Sequence, residues 1–187
     1  MPQASEQKDR LIEIVRRRSY GTGVEIKLAS GRISNFYFNM KPTMMDPEGA
    51  YLLARQILAT ISDLEADLIG GLEMGAVPVA AAVAAVSHAQ GTPLPAFFVR
   101  KQAKEHGTQS LIEGLVKGET LAGRSVVVVE DVTTTGGSAL KAIEVIRAEG
   151  GKVLAVVTAV DREEGAADTF RAAGIDFRPV LRVSDFR

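Results

Sequence analysis

The stretch VVVVEDVTTTGGS, residues 126–138, leaves few folds open. Four consecutive valines without polar alternation imply a strand covered on both faces, which is the signature of an interior strand in a parallel sheet. Two acids, Glu130 and Asp131, follow where the apolar run stops. Then come three threonines, two glycines and a serine, and a helical pattern begins near Ala139. A strand, a turn rich in hydroxyls and glycines, and a helix start together make an anion site. Backbone N–H groups point outward there, and the helix dipole favours negative charge. Thr133, Thr134, Thr135 and Ser138 add hydroxyl donors, and Gly136 and Gly137 allow close backbone approach. An ordinary helix cap needs one hydroxyl, whereas this turn has four. Glu130 and Asp131 cannot ligate a phosphate, so they are assigned to sugar hydroxyls or a metal.

The chain has 187 residues, enough for one domain with a full core. A formal charge of −1 gives no basic field for nucleic acid, and the absence of cysteine excludes disulfides and thiolate chemistry. The start, MPQASEQKDR, has no apolar segment of the signal-peptide kind, so a cytoplasmic protein is expected. Elements alternate along the chain. An amphipathic helix is expected over 6–18, with Arg16, Arg17 and Arg18 solvated at its C-terminus, and strands over 24–28 and 35–40, the second ended by Lys41-Pro42. A helix over 47–61 is capped by Asp46, a strand follows over 67–71, and an alanine-rich helix spans 77–89. Further strands are expected at 95–99, 153–160 and 177–183, with helices over 139–149 and 166–173. Such alternation implies a mostly parallel α/β sheet flanked by helices, with ligands beyond the carboxyl ends of the strands. Glu73, Arg100, Glu130 and Arg162 all fall at such ends.

Some readings are rejected. Gly70, Gly71 and Gly75 lack dinucleotide-fingerprint spacing, and GETLAGRS (118–125) precedes a strand where a P-loop would follow one. His88 has no histidine neighbour and reads as structural. Residues 100–110, RKQAKEHGTQS, are highly charged and cannot bury themselves. By themselves they fit either a solvated loop or a lid for an anionic ligand. Phe36, Tyr37 and Phe38 fit core packing or a platform for a planar base, and composition favours packing.

The aliphatic run, acid pair and Thr/Gly turn resemble the phosphoribosyl-diphosphate (PRPP) motif of the type I phosphoribosyltransferases. Beside that motif, 100–110 reads as a lid. Three features together resemble the orotate phosphoribosyltransferases of that group. They are the PRPP motif; the lid pattern of Arg100, Lys101, Lys104, His106 and Gly107; and the strand-end pair Asp161-Arg162 followed by Glu163. The SGR and FYFN segments from residue 30 to 39 fit the same family, and the resemblance covers nearly the whole chain.

The resemblance implies a type I phosphoribosyltransferase-like fold in a single domain, with residues 1–45 as a small N-terminal hood over the base and 46–187 as the PRPP-binding core. It implies transfer of ribose 5-phosphate from PRPP to orotate in pyrimidine biosynthesis, with Mg²⁺ held through PRPP and water rather than by a protein ligand set. The implied PRPP contacts are Arg100, Lys101, Lys104, His106, Glu130, Asp131, Val132, Thr133, Thr134, Thr135, Gly136, Gly137 and Ser138. Of these, Lys101, Lys104, His106 and Asp131 are the catalytic candidates. Orotate is assigned to Tyr37, Phe38, Thr134 and Arg162, the last through the substrate carboxylate. A homodimer is implied, with lid residues completing the neighbour's site.

Some positions depart from the pattern. Glu130 replaces the commoner aspartate, and Ala29 and Met74 stand where some members carry lysines that Lys27 or Lys41 would have to replace. The alternatives are a phosphoribosyltransferase for another nucleobase, which would give Arg162 no carboxylate, and a non-catalytic PRPP-sensing regulator. The regulator would need a basic surface or an added nucleic-acid-binding domain.

Overall fold

The computed structural model describes residues 4–27, 33–102 and 110–187. Four strands form the central sheet in the order β3 (Leu68–Gly70), β6 (Ser125–Thr133), β7 (Lys152–Asp161), β8 (Asp176–Arg182), and all neighbours run parallel. β4 (Phe98–Val99) continues this sheet beyond β3 through parallel bridges, Ala96 to Ile69 and Val99 to Leu72. The expected strand at 95–99 thus keeps only two ladder residues.

The valine run sits inside the sheet as expected. Val126 to Val129 are all 0% exposed, because alternate side chains enter two different cores. Val127 and Val129 pack among α1 (Ala4–Arg18), α3 (Pro47–Thr60) and α4 (Ala76–Ala89). Val126 and Val128 pack among α5 (Gly137–Ala148) and α6 (Ala166–Ala172). Helix α1 contributes Leu11, Ile14 and Val15 to the first core, at the spacing that puts three side chains on one helical face. Asp46 caps α3 by accepting from the Gly49 amide at 2.9 Å, and Pro47 fills the first turn.

Four local features differ from the sequence expectation. β6 does not stop at the acids. It pairs with β7 as far as Thr133, with Glu130 opposite Thr158 and Thr133 opposite Asp161. Polar side chains stay in the ladder because they line a cavity instead of a core. Helix α5 accordingly begins at Gly137, two residues before the expected start. Lys41-Pro42 opens a short helix, α2 (Lys41–Met44), where only a strand end was expected; proline is tolerated in a first helical turn. Finally, β5 (Ile112–Glu113) pairs antiparallel with β4, joining the two ends of the charged 100–110 segment.

Of the N-terminal strands, β1 (Tyr20–Lys27) starts four residues earlier than expected and β2 (Ile33–Phe38) keeps its expected length but lies two residues earlier; the two pair antiparallel. A 3₁₀ turn, Val183–Phe186, ends the chain. Phe186 packs against Tyr20 and Phe38, with ring centroids 5.4 and 5.2 Å away. Two of the three arginines ending α1 are engaged: Arg18 pairs with Asp46 at 2.6 Å, and Arg16 stacks on Phe186.

Candidate functional site

The carboxyl ends of β3, β6, β7 and β8 meet at one edge of the sheet. β6 delivers Glu130 to Thr133 there. Gly136 follows with φ +89°, a left-handed conformation that glycine adopts without strain, and its Cα faces the Phe170 ring so closely that a Cβ would lie 2.9 Å from it. That turn aims the first N–H groups of α5 into a cavity of about 420 Å³, walled by Glu130, Val132, Thr133 to Ala139 and Lys141. A second cavity, about 230 Å³, shares Glu130, Val132 and Ser138 in its wall and adds Lys41, Leu72 to Gly75, Lys101 and Asp131. A larger cleft, about 620 Å³, lies beyond the opposite end of β3, between Gln7, the end of α3 and Thr92 to Leu94. Its wall has one charged residue, Arg55, and no acid, so the two smaller cavities are the candidate site.

Two buried polar atoms at the sheet edge have no hydrogen-bond partner among the described residues: Glu130 Oε2 and Thr133 Oγ1. Buried polar groups are nearly always paired, which makes both candidates for contact with a bound molecule or water. Burial, and secondarily the adjacent Asp131, pushes the Glu130 carboxyl up to about 8, while Lys101 pulls it down slightly. Asp131 turns its Oδ1 back to accept from the Val132 amide at 2.9 Å. Gly75 leaves room for it, since a Cβ there would lie 2.6 Å from Asp131 Cγ and would displace the carboxylate.

The charged segment is anchored at its base. The Lys101 amide donates to Glu73 Oε1 (2.8 Å) and the Arg100 amide to the Leu111 carbonyl (2.8 Å). Arg100 is also 3.8 Å from Glu113. Lys101 is exposed at the cavity wall beside Lys41. Lys104, His106 and Gly107 lie outside the described residues, as do Ala29 and the side chain of Lys27. Lys41 and Met74 share one cavity wall.

At the end of β7 the loop 161–165 is tied on three sides. The Arg162 amide donates to the Thr133 carbonyl (2.9 Å), the Glu163 amide to Asp161 Oδ1 (2.9 Å), and the Ser184 amide to Glu163 Oε2 (3.0 Å). Glu163 sits at φ +57°. Burial raises the Asp161 carboxyl above its ordinary range. This frame holds Arg162 almost fully buried, with its guanidinium 4.5 Å over the Phe36 ring. Its Nε and Nη2 both reach Glu164 Oε1, at 2.9 and 2.8 Å.

Period two in β2 separates the expected platform residues. Phe38 faces the Tyr20–Phe186 cluster, while Tyr37 lies on the other face over Gly21, 41% exposed. Phe36, on the face of Phe38, is the ring beneath Arg162. Phe36 was weighed from sequence only as packing or as part of a base platform, not as a partner of Arg162, and Glu164 and Lys141 were not singled out for the site. The strand alternation was a signal for Phe36; nothing local pointed to Glu164.

The Phosphoribosyl transferase domain family matches residues 49–170. An orotate phosphoribosyltransferase of Bradyrhizobium diazoefficiens is 60% identical over 182 residues, covering 97% of both chains. An orotate phosphoribosyltransferase of Mycobacterium tuberculosis, solved with Fe(III) dicitrate, superposes with a TM-score of 0.82 at 40% identity, covering 96% of this chain and 98% of that one. The M. tuberculosis enzyme has also been solved with PRPP; that structure matches at TM-score 0.78 and 37% identity, with the same coverage. With the anion-binding turn, the buried acid and the framed arginine at one sheet edge, these likenesses place the chain in the phosphoribosyl transferase domain family, among the orotate phosphoribosyltransferases.

Proposed function

We propose that the two adjoining cavities bind PRPP and that the chain transfers its ribose 5-phosphate to N1 of orotate, giving orotidine 5′-monophosphate and pyrophosphate. The observation that carries this reading is the pair of buried polar atoms without a partner among the described residues, Glu130 Oε2 and Thr133 Oγ1, in the wall of the cavity at the start of α5. The 5′-phosphate takes the amides and hydroxyls of Thr133, Thr134, Thr135, Gly136, Gly137 and Ser138, with Val132 in the cavity wall. Glu130 and Asp131 accept from the ribose 2′- and 3′-hydroxyls. The diphosphate lies toward Lys41 and Lys101, which share one cavity wall, with Arg100 next to Lys101 in sequence. Lys41 supplies charge where Met74 has none.

Bond breaking at C1 leaves positive charge on the ribose and sends negative charge onto the departing diphosphate. Stabilising that charge matters more than a nucleophile. Lys101, Lys104 and His106 do this, while Asp131 orients the ribose. A closed loop excludes water, which protects the activated sugar and strengthens each charge contact. Mg²⁺ neutralises diphosphate charge when bound. The residues present suit it, since the two neighbouring acids, Glu130 and Asp131, leave most of its coordination to phosphate and water. Thr134 and Phe38 border the base, Phe38 sharing its face of β2 with the Phe36 ring beneath Arg162 while Tyr37 lies on the opposite face, and Arg162 meets the orotate carboxylate, where a planar guanidinium makes a paired contact.

The chain acts as a cytoplasmic homodimer, with residues 1–45 as the hood over the base and the 100–110 loop reaching the neighbour's cavity. Exposed Met45 and Tyr51, 74% and 48% accessible, support an interface on the α2–α3 side. The test is orotate consumption with PRPP and Mg²⁺, with matched pyrophosphate release. Lys104→Ala should slow both by at least about a hundredfold. Turnover of another base in place of orotate would overturn the assignment.

A further inference from the structure

We propose that Glu164 is the positioning residue for orotate recognition: it holds the Arg162 guanidinium flat and aimed, so that the substrate carboxylate meets a fork already set. This rests on the reading that Arg162 receives that carboxylate. The Arg162 side chain is 5% exposed and that of Glu164 18%. A guanidinium buried so deeply needs a hydrogen-bond acceptor beside it, or it would be driven out toward water. Glu164 provides one at close range, and the geometry is specific. A single oxygen, Oε1, accepts from both Nε (2.9 Å) and Nη2 (2.8 Å), which engages the side-on edge of the guanidinium. The Phe36 ring, 4.5 Å away, covers one of its faces. The edge contact opposes rotation in the plane and the ring opposes tilting out of it.

The restraint reaches further back. Glu164 follows directly on Glu163, whose amide is held by Asp161 and whose carboxylate is held by Ser184. The carboxylate is therefore presented by a rigid loop, and its contact is made before substrate arrives. Preorganisation of this kind acts on binding of the group that Arg162 recognises, and leaves the chemistry at ribose C1 untouched.

The experiment compares the full-length wild type with Glu164→Ala and Glu164→Gln, by steady-state kinetics in both substrates, orotate titration calorimetry and thermal melting. In Glu164→Ala the orotate KM and dissociation constant should rise about tenfold or more, with kcat and the PRPP KM within about twofold. Glu164→Gln keeps an oxygen able to accept from Nε and Nη2, and should recover orotate affinity to within about threefold of wild type. An unchanged orotate KM in the alanine variant overturns the proposal, as does a lowered one, which would make Glu164 a competitor of the substrate. A parallel fall in kcat and melting temperature at constant KM also overturns it, since that marks a purely structural role. Wild type that fails to bind orotate would sink the reading of Arg162 itself; wild type that binds orotate beside an unaffected alanine variant sinks Glu164 alone.

Discussion

Replacing Glu130 by glutamine should flatten the dependence of stability on pH. The Glu130 carboxyl is 6% exposed, its Oε2 has no partner, and burial beside Asp131 raises it from an ordinary 4.5 to about 8. Between those values the folded chain holds one proton at this site that the unfolded chain has lost. Stability therefore falls as pH rises through the window, by up to about 1.4 kcal/mol per pH unit. The accumulated loss by pH 8 is on the order of 5 kcal/mol, and it is absent below pH 4.5. Glutamine keeps the size and cannot ionise. Asp161 is raised as well and contributes in the same direction, but it is present in both proteins and cancels in their difference. Urea titrations of the ligand-free wild type and Glu130→Gln at several pH values between about 5 and 8 measure that difference directly. The stability of the variant relative to wild type should climb steadily with pH. Two parallel curves would show that Glu130 ionises in the folded chain as easily as in water, and would refute the argument from its burial.

Three further perturbations separate site from scaffold. Gly75→Ala adopts an ordinary helical φ of −60°, but its Cβ lands on the Asp131 carboxylate; turnover should fall at least about tenfold while the melting temperature hardly moves. Lys41→Ala removes an exposed cation from the cavity wall and should raise the PRPP KM about fivefold or more, with stability within about 0.5 kcal/mol of wild type; an unchanged KM at low and high salt would exclude Lys41 from the diphosphate end. Asp46→Ala should cost about 1–2 kcal/mol by denaturant unfolding, since it removes the cap of α3 and the partner of Arg18, whereas Asp46→Asn should keep most of the cap contribution.

The sheet was legible because its strands are marked by their own composition. Val126 to Val129 are apolar on both faces and can be satisfied only between two helical layers. The Thr/Gly turn was legible as a strand-to-helix connection, since glycines and hydroxyl side chains gather where a helix begins, and α5 does begin at Gly137. The end of β6 was not, because a ladder that continues through Glu130 and Asp131 depends on the partner residues of β7, far along the chain. The antiparallel closure of β4 on β5 is likewise a pairing of two-residue segments, too short for any periodic signal. At the end of β7, Arg162 was legible from its place at a strand end. Its contacts with Phe36 and Glu164 were not, since they follow from which face of β2 turns inward and from how loop 161–165 is pinned.

The tie between Ser184 and Glu163 gives the terminal 3₁₀ turn a share in the fate of the loop that carries Arg162. Phe186 is wedged against Tyr20 and Phe38, and Arg187 stacks on the same Phe36 ring as Arg162. Opening of that turn would release the carboxylate that steadies loop 161–165 and uncover the aromatic cluster of the N-terminal hairpin in one event. The two regions, far apart in sequence, form one cooperative unit of local unfolding. The Ser184 and Asn39 amides, the latter held by the Ser19 carbonyl, should then exchange with solvent deuterium at a common rate.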